Sequence, residues 1–153
     1  MEPTICKAST DDVEDIKELV NRYARQELML PRSLEETYDQ LRDFFVCREN
    51  DNPLLGCAAL HVSWQEMGEI RSLAVAEQAQ GEGIGTRLVQ ACLDEAPRLG
   101  ISRVFTLTRT PDFFHRLGFS DYPKEQLPHK VWSDCMKCPH FPDCDEVCLM
   151  IEL

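Results

Sequence analysis

Apolar residues recur along this chain with two different periods, and the period separates predicted helices from predicted strands. After the capping residues 10–12, a helical stripe is formed by Ile16, Leu19, Val20 and Tyr23. A second helix is predicted to begin at Ser33-Leu34-Glu35-Glu36, which has the form of a capping box. Its predicted inward positions are Leu34, Tyr38 and Leu41. Two more helices are predicted, one ending near Leu99 before Gly100 and one over residues 111–118, begun by Pro111.

Runs of apolar and β-branched residues between turn signals predict the strands. They cover residues 5–7, 44–47, 54–62, 68–75, 103–108 and 147–153. The second and third runs flank the turn 49–53 and form a predicted antiparallel hairpin. The expected fold is therefore α/β, with helices packed on a central mixed, mostly antiparallel sheet, in one domain over residues 1–153. A cysteine-containing segment, residues 122–146, is predicted as an insertion before the last strand.

The net charge of the chain narrows the classes of molecule that it is expected to bind. The net charge of −11 argues against a nucleic-acid backbone, because such binding relies on clustered lysine and arginine. A cationic partner such as a polyamine or a basic peptide stays open, although surplus acid is also common on ordinary soluble surfaces. No apolar run is long enough to span a bilayer, and the N-terminus lacks a secretory signal pattern. A cytoplasmic protein is expected, and a homodimer is left open.

The eight cysteines need an explanation other than structural disulfides, because the cytosol keeps thiols reduced. Cys6, Cys47, Cys57 and Cys92 stand in apolar contexts and are predicted as small core residues. The other four form the spacing Cys135-x2-Cys138-x5-Cys144-x3-Cys148. This pattern is compatible with zinc held by four thiolates, with His140 as a substitute ligand. Reversible disulfides, or no site at all, are the alternatives, and Cys148 also fits the core of the last strand.

Between the predicted strand 68–75 and the helix that follows lies a glycine-rich turn. It reads Gln80-Gly81-Glu82-Gly83-Ile84-Gly85-Thr86. Such a turn can direct backbone N–H groups at a phosphate, and the positive end of the next helix adds to the attraction. No Gly-Lys-Ser/Thr follows, which excludes a Walker A loop, and no repeated βαβ pattern supports a dinucleotide fold. A plain strand-to-helix turn is the structural alternative.

In its context, this turn resembles the Gln/Arg-x-x-Gly-x-Gly/Ala motif of the GNAT acetyltransferase superfamily. Residues 113–119, an aromatic helix ending in Gly-Phe, resemble the second marker of that superfamily. The resemblance implies the GNAT fold with a cysteine-rich C-terminal segment, and acetyl-CoA as co-substrate. The implied CoA-binding residues are Leu73, Ala74, Val75, Gln80, Gly81, Glu82, Gly83, Ile84, Gly85 and Thr86. The first three would pair with the pantetheine arm where their strand splays from its neighbour, and the turn would hold the pyrophosphate.

The same resemblance implies a general base at Glu69, on the strand that leads to the turn. Arg71, two residues on, shares a strand face with Glu69. The alternative is a surface cross-strand pair of these two residues. Many members place a tyrosine in the aromatic helix to protonate the leaving thiolate. Phe114 stands in that position here and cannot donate a proton, which argues against a tyrosine acid. Water is the expected proton source, and the nearby His115 is expected to be a solvated residue on the helix surface.

For the acceptor, residues 107–114 and 68–75 resemble segments of bacterial N-acetylglutamate synthases, and residues 127–146 resemble the tail of the short, single-domain form of these enzymes. That likeness implies transfer to the α-amine of glutamate, the first step of arginine biosynthesis. Two carboxylates need cationic partners, and the implied substrate-binding residues are Arg32, Ser33, Arg71, Arg109 and Thr110. An N-acetyltransferase for a polyamine or a protein amine, and a non-catalytic CoA-binding module, are the alternatives.

Overall fold

The structure, a computed structural model, describes residues 3–26, 31–50, 52–128 and 146–153. The helices are α1 (Val13–Ala24), α2 (Leu34–Asp39), α3 (Ile84–Glu95) and α4 (Pro111–Arg116). The strands are β1 (Thr4–Lys7), β2 (Phe44–Arg48), β3 (Gly56–Trp64), β4 (Met67–Val75), β5 (Arg103–Thr108), β6 (Ser120–Asp121) and β7 (Val147–Glu152). Short 3₁₀ turns lie at Thr10–Asp12, Leu41–Asp43, Glu77–Ala79, Ala96–Leu99 and Lys124–Gln126.

Among the described residues, seven strands hydrogen-bond in the order β1-β2-β3-β4-β5-β7-β6. Pairing is antiparallel for β1 with β2, β2 with β3, β5 with β7 and β6 with β7. The pair β4–β5 is parallel and matches Met67, Gly68 and Glu69 with Arg103, Val104 and Phe105. The expected mixed, mostly antiparallel α/β sheet is therefore confirmed. No helix in the described part of the chain has the length and apolar character needed to cross a membrane.

The chain divides into two compact units, and β3 and β4 contribute residues to both. The first unit consists of Met1–Leu60 and Ile70–Asp94. Its core contains Ile16, Leu19, Val20, Tyr23, Phe44, Val46, Leu54, Cys57, Ala59, Ala74 and Ala76. In this unit α3 approaches β3 so closely that a Cβ on Gly56 would lie 2.9 Å from Leu88 Cδ1. Gly56 thus permits the packing that fixes the helix after the glycine-rich turn.

The second unit consists of His61–Glu69 and Glu95–Leu153. Its core contains Met67, Phe105, Leu127, Cys148 and Met150. Gly100 adopts φ +79°, the left-handed conformation of a helix stop, as its position after the apolar helix predicts.

Three expectations need correction. In α2, Leu34 and Tyr38 are 38% and 52% exposed, and the buried residue is Thr37, whose hydroxyl donates to Ser33 O at 2.7 Å. The helix is only six residues long, so Leu41 falls in the next 3₁₀ turn and the predicted stripe does not form. Cys6 is exposed, because β1 is the end strand of the sheet and pairs with β2 alone. The predicted helix to Leu99 ends at Glu95 and continues as a 3₁₀ turn.

Candidate active site

The glycine-rich turn joins β4 to α3 through the 3₁₀ turn Glu77–Ala79. Gly81 and Gly83 have φ of +84° and +80°, a backbone region that glycine adopts without strain. A Cβ built on either residue would meet no protein atom within 4 Å. The turn therefore needs glycine for its conformation and leaves open space beside the backbone. Helix α3 has twelve residues. The N–H groups of its first turn have no intrahelical acceptors and point out of the N-terminal end of the helix, next to the glycine turn.

The side chain of Gln80 lies against the protein rather than in this open space. Its Nε2 donates to Tyr23 Oη at 2.7 Å, and lies 3.3 Å from Val75 O. The Tyr23 hydroxyl in turn donates to Val75 O. The motif resemblance implied that Gln80 binds CoA, and the helical stripe placed Tyr23 in the core. A tyrosine on a buried stripe must find a partner for its hydroxyl, and that requirement is the signal that was missed.

The end of β4 carries the predicted pantetheine-binding residues. Ala74 is buried, while Leu73 and Val75 are half-buried. Ala76 N, just after the strand, donates to Leu55 O at 2.8 Å. The Val75 carbonyl accepts from Tyr23 and Gln80, so it is already hydrogen-bonded within the protein. Any hydrogen bond between β4 and pantetheine would therefore involve backbone groups other than the Val75 carbonyl.

Arg32 is buried in the first unit, with 8% of its surface exposed. Its Nε donates to Ser72 Oγ at 2.7 Å, and its Nη1 donates to Gln40 Oε1 at 2.5 Å. The guanidinium carbon lies 5.0 Å from the centroid of the Phe44 ring. The side-chain amide of Asn21 accepts from Arg32 N at 2.9 Å and donates to Arg32 O at 3.1 Å. The sequence therefore positions Arg32 through neutral groups from α1, β4 and the stretch after α2.

Electrostatically, Arg32 is a buried cation with a second cation near it. Burial lowers the pKa of Arg32, and the charge of Arg71 lowers it further, while Glu36 and Asp43 oppose these effects to a smaller degree. Among the described residues, no ion pair includes Arg32. A buried guanidinium without a paired carboxylate is costly unless a ligand supplies the negative charge.

Two serines lie next to Arg32: Ser72 accepts from its side chain, and Ser33 follows it in the chain. Ser72 adopts φ +53° within β4, and its carbonyl accepts from Cys57 Sγ at 3.4 Å. A non-glycine residue in this region is uncommon and marks locally strained backbone within β4. Ser33 is exposed, caps α2, and accepts from Glu36 N at 3.1 Å. Its hydroxyl proton is still able to donate to a ligand.

In the second unit, Glu69 is 7% exposed and lies opposite Phe105 in the parallel pair. This burial rules out the alternative of a solvent-exposed surface pair for Glu69. Arg109 follows β5 and is half-buried, and Thr110 is exposed at the start of α4. Thr110 N donates to Thr108 Oγ1 at 2.9 Å, which turns the chain into that helix.

The aromatic helix supplies a buried ring instead of an acid. Phe114 is buried and makes edge contacts with Phe113 and Phe119, at centroid distances of 5.0 and 5.3 Å. Next to it, His115 Nε2 lies 2.7 Å from Asp121 Oδ1 on the surface of the second unit. The Phe114 position therefore donates no proton.

The predicted metal ligands are only partly within the described residues. Cys148 is buried in β7 opposite Leu107, in keeping with a core role. Cys135, Cys138, Cys144 and His140 lie outside the described residues. Among the residues that are described, no group of three metal-ligating side chains comes together.

In the first unit, the end of β4 leads into the glycine turn, and the turn leads into α3. Residues 10–119 match the model of the Acetyltransferase (GNAT) family. The chain is a member of the GNAT acetyltransferase family. As such it is an acyltransferase, which favours a catalytic protein over a CoA-binding module.

The chain resembles several known proteins over most of its length. An amino-acid acetyltransferase of Mycobacterium tuberculosis is 40% identical over 134 residues, which cover 86% of this chain and 76% of the relative. A Mycobacterium tuberculosis protein solved in complex with CoA superposes with a TM-score of 0.83 at 31% identity, and the match covers 99% of both chains. An N-acetylglutamate synthase of Neisseria gonorrhoeae, complexed with coenzyme A and N-acetyl-glutamate, gives a TM-score of 0.90 at 31% identity. That match covers all of this chain and 35% of the synthase.

Proposed function

We propose that this GNAT acetyltransferase transfers the acetyl group of acetyl-CoA to the α-amine of a dicarboxylic amino acid, with L-glutamate as the acceptor. The product would be N-acetylglutamate, and the reaction would be the first step of arginine biosynthesis. The names of the M. tuberculosis and N. gonorrhoeae relatives support an amino-acid acceptor. The observation that carries the proposal for this chain is the buried Arg32.

Arg32 supports an acidic acceptor because, among the described residues, no carboxylate forms an ion pair with its buried guanidinium. Two of its five N–H donors bind neutral oxygens, of Ser72 and Gln40, and no carboxylate in the described residues pairs with it. Arg71 adds a second positive charge. Like charges near each other in a buried setting are stabilised by an anion. A carboxylate of the acceptor would supply one and would gain charge-assisted hydrogen bonds.

The residues around the glycine turn fit acetyl-CoA. The open space at Gly81 and Gly83, together with the N-terminus of α3, suits a pyrophosphate. We propose that the backbone N–H groups of residues 81, 83, 85 and 86 hold it. When bound, acetyl-CoA supplies the acetyl group as a thioester and leaves as the free thiol.

For the chemistry, we propose that Glu69 accepts the proton that the acceptor amine must lose. The amine nitrogen then bonds to the thioester carbonyl carbon, and the carbon–sulfur bond breaks. Water protonates the thiolate, since Phe114 cannot. Arg109 and Thr110 are proposed to bind the acceptor's second carboxylate, through the Arg109 guanidinium and the Thr110 hydroxyl.

The direct test is acetyl-CoA turnover with a matched set of acceptors. Glutamate and glutamine differ only in the side-chain carboxylate, which is an amide in glutamine, so the comparison tests whether the protein recognises that negative charge. Glutamate should be acetylated with a kcat/KM at least about tenfold above glutamine, since charge-assisted bonds exceed neutral ones. Spermidine serves as the cationic comparison. Turnover of spermidine without turnover of glutamate would overturn the acceptor assignment and leave the family assignment intact.

A further inference from the structure

A hydrogen-bonded contact between α1 and the connection from β4 to α3 involves three residues. Tyr23, in the last turn of α1, is 9% exposed and belongs to the core of the first unit. Its hydroxyl donates to the carbonyl of Val75, the last residue of β4. It accepts from the amide of Gln80, the first residue of the glycine turn. One hydroxyl thus holds both ends of the connection 75–80.

The rest of the turn has little else to hold it in place. Residues 80–83 are exposed, and Gly81 and Gly83 meet no neighbouring atoms where a Cβ would be. Within the described residues, Gln80 is the one member of the stretch 80–86 whose side chain hydrogen-bonds to another element. Two glycines give the free turn a wide choice of conformations. Binding a ligand to the turn costs less conformational entropy if fewer backbone conformations are accessible to the turn before binding.

We propose that Tyr23 is a positioning residue for the CoA turn, acting through Gln80. Its hydroxyl fixes Gln80 to the end of β4, so that the N–H groups of the turn point outward before the ligand arrives. The Gln80 side chain is then an internal anchor and not a ligand contact. This inference rests on the proposed function in one respect, namely that the turn binds the pyrophosphate of acetyl-CoA.

The first experiment uses Tyr23→Phe, which keeps the ring in the core and removes a single oxygen. Loss of the two hydrogen bonds should raise the Kd for CoA by about three- to tenfold in calorimetry. The KM for S-acetylpantetheine, which lacks the pyrophosphate, should stay at the parent value. A general loss of folding would instead weaken both. Tyr38→Phe is the matched control, since Tyr38 is exposed on α2, and it should bind CoA as the parent does.

A double-mutant cycle with Gln80→Ala tests whether the two residues act as one unit. The double variant should bind CoA no more weakly than the weaker single variant, because each removes the same anchor. Losses that multiply would mean that Gln80 contacts CoA independently, which would overturn the proposal. Gln90→Ala, an exposed glutamine on α3 bonded to Asp94, controls for loss of a glutamine side chain. If Tyr23→Phe lowers the folded fraction, the Kd for CoA and the KM for S-acetylpantetheine are compared in Gln80→Ala instead, with the same expected result.

Gly83→Asp separates failure of this inference from failure of the proposed function. If Gly83→Asp loses CoA binding while Tyr23→Phe and Gln80→Ala keep the parent affinity, the positioning role is wrong and the turn remains the CoA site. If Gly83→Asp also binds CoA as tightly as the parent, the turn is not the pyrophosphate site, and both proposals fail together.

Discussion

At the scale of single residues, Arg32 and Ser33 are neighbours in the chain but differ in what they leave for a ligand. Within the described residues, Arg32 uses two of its five N–H donors, while the Ser33 hydroxyl accepts the capping bond from Glu36 N. Arg32 therefore has strong donors to spare, and Ser33 has one proton. We expect Arg32 to bind an acceptor carboxylate and Ser33 mainly to orient the helix that follows Arg32.

Removal of the Glu69 carboxylate should slow the reaction without loosening acetyl-CoA. Glu69→Gln keeps the shape of a 7% exposed side chain but cannot accept the proton of the amine. A positioned base contributes a factor of about 10² to 10⁴. We expect kcat to fall within that range, with the loss shrinking as rising pH deprotonates the free amine. Glu77→Gln, on an exposed 3₁₀ turn, should match the parent. A parent-like pH–rate profile for Glu69→Gln would remove Glu69 from the mechanism.

Arg109 should act on the acceptor alone. A charge-assisted bond to a carboxylate contributes about 1.5–3 kcal/mol, or roughly ten- to a hundredfold in binding. Arg109→Ala should raise the KM for glutamate by that factor and leave the KM for acetyl-CoA nearly unchanged. Arg109→Lys should recover part of it, because an ammonium lacks the planar fork. Arg116→Ala, an exposed arginine on α4, is the control. Equal KM values for glutamate in the Arg109→Ala and parent proteins would contradict the assignment.

At the scale of elements, the position of α3 and the path of the turn before it each require a glycine, at two different places in the chain. Gly56 on β3 is needed because α3 packs too closely for a Cβ, and Gly83 is needed because its φ is positive. The first requirement sets the direction of α3, and the second sets the path of the turn before it. Together they place the N-terminus of α3 at the open end of the turn.

Charge at the turn can be separated from conformation by a pair of variants. Asparagine tolerates positive φ and matches aspartate in size, so Gly83→Asn retains the backbone and adds no charge. Gly83→Asp adds a negative charge where the pyrophosphate is proposed to lie. We expect calorimetry to show a CoA affinity for Gly83→Asp at least about tenfold below that of Gly83→Asn. Equal affinities would mean that no anion binds there.

At the scale of the whole molecule, the free energy of unfolding should decrease at alkaline pH because of one buried thiol. Burial raises the pKa of the Cys57 thiol to about 12 from an ordinary value of 9.0, with Arg32 opposing the shift. The folded state then keeps the proton while the unfolded state releases it. The contribution is fully present below pH 9 and is lost as pH rises toward about 12.

Urea unfolding at about pH 8 and about pH 10.5 tests this slope. The parent should lose on the order of 1 kcal/mol of unfolding free energy per pH unit above pH 9 through Cys57. Cys57→Ala should lack that part of the slope, although it is less stable at neutral pH. Cys6→Ala removes an exposed thiol and should retain the parental slope. Identical slopes for the parent and Cys57→Ala would show that the thiol does not titrate in this way.

The amino-acid sequence alone predicted the order of the four α-helices and of six of the seven described strands, the glycine turn and the lack of an acid at Phe114, but it missed the two-residue strand β6. These features depend on short-range properties: hydrophobic period, turn residues and the chemistry of one side chain. It misjudged α2, where six residues are too few for an apolar stripe to govern burial. Cys6 was misjudged as well, because exposure on an end strand depends on how many neighbours the strand has.

Only the tertiary structure decided what surrounds each candidate residue. Arg32 meets Ser72 across 40 positions, and Tyr23 meets Val75 and Gln80 across 52 and 57. No local period encodes such contacts, because they arise when separately formed elements pack and their buried polar groups must find partners. The sequence thus determined which residues could bind charge or phosphate. The packing of the first unit determined that Arg32 is buried, with no carboxylate paired to it in the part of the chain that the structure describes, and that Gln80 points inward to Tyr23.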